Sequence, residues 1–169
     1  MRERSLRARI VGAAAAFSLL AASADAASVG APAPGCALRL QDGAPVSLSQ
    51  LKGKVVYVDF WASWCTSCLL SFPFLSGLQQ TYAQRGLVVV GVAMDQRPAD
   101  AQKFLVQHPA RFAIATGDNS QCAINFKVAA MPSSFVIDRK GVVRAAHQGF
   151  RLEDGKALAG LVGGLVDER

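Results

Sequence analysis

The stretch from Val55 to Pro73, V-V-Y-V-D-F-W-A-S-W-C-T-S-C-L-L-S-F-P, constrains this chain more than any other. It opens with an apolar run, Val55 to Trp61, that holds one acid, Asp59, and no polar-apolar alternation. Such a run reads as a strand buried on both faces, as in the middle of a largely parallel sheet covered by helices. Trp64-Cys65-Thr66-Ser67-Cys68 then turns into an apolar helix, expected over roughly Cys65 to Gln84 with a kink at Pro73.

Two cysteines separated by two residues can close a small ring. One thiolate attacks a substrate disulfide, and the second resolves the mixed disulfide that forms. A helix beginning near Cys65 leaves amide N–H groups unpaired around its sulfur, which favours the thiolate. Cys65 is therefore the expected nucleophile and Cys68 the resolving thiol. The same spacing is half of a zinc site, but a zinc ribbon needs a second pair. The other cysteines, Cys36 and Cys122, stand alone, as do the two histidines, His108 and His147. No metal and no cofactor is expected.

At 169 residues and 51% hydrophobic composition, the chain suits one domain with a real core. Its formal charge is +6, of which +2 falls in the first 26 residues. There is no run of five like charges and no interleaving of basic and aromatic residues, which argues against nucleic-acid binding. Arg2, Arg4, Arg7 and Arg9 precede an apolar run from Ile10 to Ala22, and Ala24-Asp25-Ala26 has the small-x-small form of a cleavage site. Residues 1–26 therefore read as a signal peptide, with an uncleaved membrane anchor as the alternative. The rest is expected in an exported, oxidising setting such as a bacterial periplasm.

Residues 27–35, rich in Ala, Pro and Gly, read as a linker, leaving 36–169 as the folded domain. Ala37-Leu38-Arg39-Leu40, a turn at Gln41-Asp42-Gly43, and Val46-Ser47-Leu48 signal a hairpin. A second buried strand is expected over Leu87 to Met94, a helix over Pro98 to His108 and a short strand at Phe112 to Ala115. A short helix at Gln121 to Phe126 follows, then strands at Ser134 to Ile137 and Val142 to Ala146. The last helix, about Leu152 to Val166, carries Leu158, Leu161, Val162 and Leu165 at helical spacing.

The block V-D-F-W-A-S-W-C-x-x-C with Pro73 five residues on, the Met131-Pro132 dipeptide before a strand, and F-V-I-D-R-K-G resemble the thioredoxin superfamily. The opening A-P-G-C-A-L-R-L-Q-D-G-A-P-V-S-L-S-Q-L-K-G-K is similar to the N-terminal hairpin of its TlpA/ResA-type branch. The resemblance covers nearly all of Ala31 to Val166. It implies an α/β thioredoxin fold with an N-terminal β-hairpin and a central helix-strand insert, between about Gln96 and Thr116. It also implies a thiol-disulfide oxidoreductase acting on disulfides of periplasmic partner proteins and recharged by a membrane thiol-disulfide electron donor. Reducing duties in cytochrome c maturation or oxidase copper-site assembly are the roles it suggests, for a chain expected to be a monomer.

The resemblance also implies roles for single residues. Pro132 matches the cis-proline that packs against the reactive disulfide, and Met131 before it would offer its backbone to an extended substrate segment. Asp59, expected to have a raised pKa through burial, matches the buried acid that accepts the proton of the inner thiol. Trp64 reads as a partly exposed lid for partner contact, while Trp61, Phe72 and Phe74 read as core. Thr66 and Ser67, between the cysteines, are expected to contact substrate and to tune the thiolate. Many TlpA/ResA-type proteins have proline where Ser67 stands, and ResA-like proteins have a glutamate where Gln96 stands. That departure leaves more of the proton chemistry to Asp59.

Cys36 and Cys122 read either as buried free thiols or as a structural disulfide. His108 reads as capping or solvated, and His147 as following the last strand, neither catalytic. Three other activities compete with disulfide reduction. One is a copper chaperone using Cys65 and Cys68 as Cu(I) ligands. Another is a disulfide donor or isomerase. A peroxiredoxin is disfavoured because Ala62-Ser63-Trp64 supplies no proline ahead of the reactive cysteine.

Overall fold

The computed structural model describes residues 27–168. The expectations that fall on 1–26, a signal peptide or an anchor, lie outside them. None of the described helices is long and apolar enough to cross a membrane.

The chain begins with a hairpin of β1 (Ala37–Arg39) and β2 (Pro45–Ser47), followed by a short 3-10 turn at Leu48–Leu51. The buried run forms β3 (Val55–Trp61) and leads into α1 (Cys68–Tyr82), which contains Pro73. Next come β4 (Leu87–Ala93), α2 (Pro98–Gln107), β5 (Ala113–Ala115) and α3 (Ser120–Asn125). The chain closes with β6 (Ser133–Ile137), β7 (Val143–Gln148) and α4 (Asp154–Asp167). Five strands make one sheet in the order β5-β4-β3-β6-β7, with β3, β4 and β5 parallel and β6 and β7 antiparallel. This is a thioredoxin fold, with α2 and β5 as the expected insert.

Burial follows from the position of β3. It pairs with β4 from Val55↔Leu87 to Trp61↔Ala93 without a slip, and every one of its residues is buried. Side chains alternate between faces. Val55 and Tyr57 meet Leu75 and Leu78 of α1 and Val162 and Leu165 of α4, whereas Val56, Val58 and Phe60 meet Leu38, Cys122 and Phe126 on the other face. At the C-terminal end of the strand, Trp61 packs with Phe72 of α1 and Phe104 of α2 at ring separations of 4.9 and 5.0 Å. The run of valines is thus consumed by two helical layers.

Three details differ from expectation. The stretch read as a linker is paired to the sheet: Gly30 N–H bonds to Val143 O, Val143 N–H to Ala31 O, and Ala33 N–H to Gly141 O. Ala, Pro and Gly suit this as well as they suit a linker, because their side chains do not obstruct a close backbone approach. His147 lies within β7, which runs two residues past its expected end. Helix α1 starts at Cys68 rather than near Cys65, because Cys65 N–H bonds back to Ala62 O and Cys68 N–H to Cys65 O, closing two turns before the helix begins.

A disulfide joins Cys36 to Cys122, fastening the hairpin segment to α3 with a Cα–Cα distance of 4.8 Å. The hairpin also meets the sheet at β5, where Leu40 bridges Ala115 and Gln41 N–H bonds to Ile114 O.

Candidate active site

The C-terminal ends of β3 and β4 and the start of α1 converge on the turn Ala62 to Ser67. Cys65 and Cys68 are disulfide-bonded there, with Cα atoms 5.4 Å apart. Cys65 is 5% exposed and Cys68 is fully covered, so Cys65 presents the sulfur open to attack. The Cys68 amide N–H lies 3.3 Å from Cys65 Sγ and the Ser67 hydroxyl 3.7 Å. The next amides close onto the carbonyls of Thr66 and Ser67. Stabilisation of a Cys65 thiolate therefore comes from one amide and one hydroxyl, together with the helix start.

The Met131–Pro132 peptide bond is cis. Its loop is pinned on both sides: Ser133 Oγ donates to Ala130 O at 2.6 Å, and Gly149 N–H donates to Pro132 O at 2.8 Å. Met131 lines one open groove with Trp64, Cys65, Thr66, Ser67, Leu69 and Leu70. Trp64 is 69% exposed and Leu69 and Leu70 are partly exposed, which gives Cys65 an apolar rim. The residues expected to contact substrate are thus brought together, with Leu69 and Leu70 added by the first turn of α1.

Asp59 is 1% exposed at the middle of the sheet. Burial pushes its carboxyl up from 3.8 to about 7, and the nearby Ser134 hydroxyl opposes the rise. Its Oδ2 has no hydrogen-bond partner among the described residues. By strand alternation Asp59 shares a face with Tyr57 and Trp61, the face on which α1 lies. The carboxyl is therefore on the same side of the sheet as Cys68, and its proton affinity sits where it can be gained and lost near neutral pH.

One contact was not legible in the motifs. Asp95, just beyond β4, accepts the Ser63 backbone N–H at 3.1 and 3.2 Å and the Ser63 hydroxyl at 2.5 Å. The turn ahead of Cys65 is thereby tied to the neighbouring strand. The residues are 32 apart, and the sole signal was an acid immediately after a buried strand. Gln96, its neighbour, is exposed. His108 stacks on Phe104 at 4.8 Å and His147 bonds to Asp154 at 3.2 Å, both away from the cysteines in their contacts. Phe72 is core as expected, and Phe74 packs on Phe150 at 5.2 Å.

The Redoxin family model matches residues 28–161. A Bacillus cereus relative, thiol-disulfide oxidoreductase ResA, is 28% identical over 115 residues, 68% of this chain and 66% of that protein. The matched part is thus slightly under two thirds of that relative's length. The ResA protein of Bacillus subtilis (strain 168) is 26% identical over 127 residues, covering 75% of this chain and 71% of that protein. Among solved structures, one from Chlorobium tepidum assigned as thiol:disulfide interchange protein DsbE is 42% identical with a TM-score of 0.78, covering 82% of this chain and 98% of that one.

Proposed function

The chain belongs to the Redoxin family, in its TlpA/ResA-type thioredoxin-like branch of thiol-disulfide oxidoreductases, and from that footing we propose that it reduces disulfides of exported partner proteins. The observation that carries the reading is the Cys65–Cys68 pair set beside the cis Met131–Pro132 bond, with a buried acid on the same side of the sheet.

In the reduced protein the Cys65 thiolate attacks one sulfur of a substrate disulfide. A Cys65–substrate bond forms and the other substrate sulfur leaves as a thiolate that takes a proton from water. Met131 holds the substrate backbone, while Trp64, Thr66 and Ser67 border it. Cys68 then gives its proton to Asp59 and attacks Cys65 Sγ, expelling the second substrate sulfur as a thiolate that takes a proton from water. Two electrons have passed to the substrate, and the protein is left in the disulfide form seen here. A membrane thiol-disulfide donor returns the pair to the dithiol. Residues 1–26 serve as the export signal, and the duties that fit are keeping partner cysteines reduced for cytochrome c maturation or for filling an oxidase copper site.

The reduction potential of the Cys65–Cys68 pair, equilibrated against dithiothreitol or glutathione and followed by Trp fluorescence, tests the direction. A value of about −250 mV or lower is expected of a reductase. A value of about −150 mV or higher reverses the direction and makes the chain a disulfide donor or isomerase.

A further inference from the structure

Asp59 heads a row of polar side chains that crosses the sheet. It pairs directly with Ser134 on β6, and Ser134 pairs directly with His147 on β7. Directly opposed residues of antiparallel strands point to one face, with Cβ atoms about 5 Å apart. At the far end His147 Nε2 meets Asp154 Oδ2 at 3.2 Å, where α4 begins. Exposure rises along the row: Asp59 is 1% and Ser134 3% exposed, while the His147 side chain is 30% exposed. The row leads from a sealed carboxyl to water.

The groups facing it are few. Tyr57, on the same strand and face, is pushed up from its ordinary pKa by burial and by the charges of Asp59 and Asp154, while the Ser134 hydroxyl lowers it. Strand β4 places Gly91 opposite Asp59, and α1 brings Cys68. Asp154 is also held by the Arg151 backbone N–H at 2.8 Å and by its guanidinium at 3.5 Å. Among the described residues no cation acts on Asp59 itself. Ser134 is the polar residue paired directly beside it, and the proposed reaction gives the carboxyl a proton it must later shed.

Building on the proposed role of Asp59, we propose that Ser134 is a positioning residue for that carboxyl and that the row Ser134–His147 is its proton exit, separate from the substrate groove. After Cys68 is deprotonated, the proton on the Asp59 carboxyl passes to Ser134 Oγ as the serine's own proton moves to the His147 imidazole. The imidazolium, paired with Asp154, releases it to bulk water. Asp59 returns to carboxylate, Ser134 to hydroxyl and His147 to neutral ring, with no net change in the row. The outlet stays open while the groove is covered by a bound substrate.

Two measurements test this. The first is the Asp59 carboxyl titration by ¹³C NMR in the oxidised protein, a readout independent of turnover. Ser134→Ala is expected to raise the midpoint by about one pH unit, a tenfold change in proton affinity, and Ser134→Thr to restore it. An unmoved midpoint in Ser134→Ala overturns the positioning role. The second is steady-state reduction of a substrate disulfide with excess dithiol donor, in which the Asp59 carboxyl must shed its proton once per cycle. His147→Ala is expected to slow it roughly tenfold, with recovery on adding free imidazole, by the reasoning of general base catalysis. Wild-type turnover in His147→Ala at every imidazole concentration overturns the exit. An Asp59→Asn variant that resolves a mixed disulfide on Cys65 at the wild-type rate in a single turnover instead overturns the acceptor role of Asp59, and the two failures are told apart.

Discussion

A carboxyl group in the middle of a sheet has no water to ionise into, and Asp59 carries that cost whenever it is charged. With its native midpoint at about 7 against an ordinary 3.8, the folded chain holds a proton that the unfolded chain has released. Stability contributed by the protonated form is therefore present at low pH, is lost as pH rises between the two values, and stays lost above about 7. The loss is on the order of a few kcal/mol. Urea denaturation should show Asp59→Asn more stable than wild type at about pH 8 and the advantage gone by about pH 4.5; an advantage that does not vary with pH contradicts the raised midpoint. Asp95 works the other way, by receiving donors. Asp95→Ala strands the Ser63 amide and hydroxyl and should lose about 1–3 kcal/mol. Ser63→Ala keeps the backbone bonds and should lose less in the same denaturation measurement.

At the scale of elements, β3 and β4 fit because one of their members has no side chain. A Cβ on Gly91 would stand 2.9 Å from Phe112 Cε2, 3.0 Å from Ile114 Cδ1 and 3.1 Å from Trp61 Nε1. Gly91→Ala is expected to cost about 1–3 kcal/mol through overpacking, read as a lower denaturation midpoint. The strands themselves were legible because a doubly buried strand must be apolar throughout, and Val55–Trp61, its one acid aside, and Leu87–Ala93 are. Local hydrogen bonding was less legible. The turns that hold back the start of α1 depend on Ala62 and Cys65 carbonyls being free to accept, which no residue type announces. Asp95 and Ser63 were invisible as a pair because their meeting depends on the register of two strands. The motif located the cysteines, but the support under them came from the pairing of distant segments.

For the whole molecule, the disulfide between Cys36 and Cys122 spans 86 residues and ties the hairpin segment to α3 beneath the sheet. Closing so long a loop should contribute about 2–5 kcal/mol, mostly by restricting the unfolded chain. The double variant Cys36→Ala, Cys122→Ala should denature earlier by that amount while its Cys65–Cys68 potential stays where the parent's is. A parent-like denaturation midpoint contradicts a stabilising bond. Free thiols versus a bond was undecided in the sequence because their separation depends on how the hairpin lies against α3. The resemblance indicated the hairpin, and the docking geometry decided the bond.

The pairing of Gly30–Ala33 with Gly141 and Val143 bears on the order in which the protein can be completed. A chain that emerges N-terminus first has this segment long before its partner exists, so these residues stay unpaired with Gly141 and Val143 until most of the domain has followed. Cys36 waits too, and the first thiols to reach it are Cys65 and Cys68 rather than Cys122. The reactive pair is thus the earliest available wrong partner for the structural one. In an oxidising setting, any bond Cys36 forms with that pair would have to be exchanged for the one to Cys122 before the protein could exchange with others.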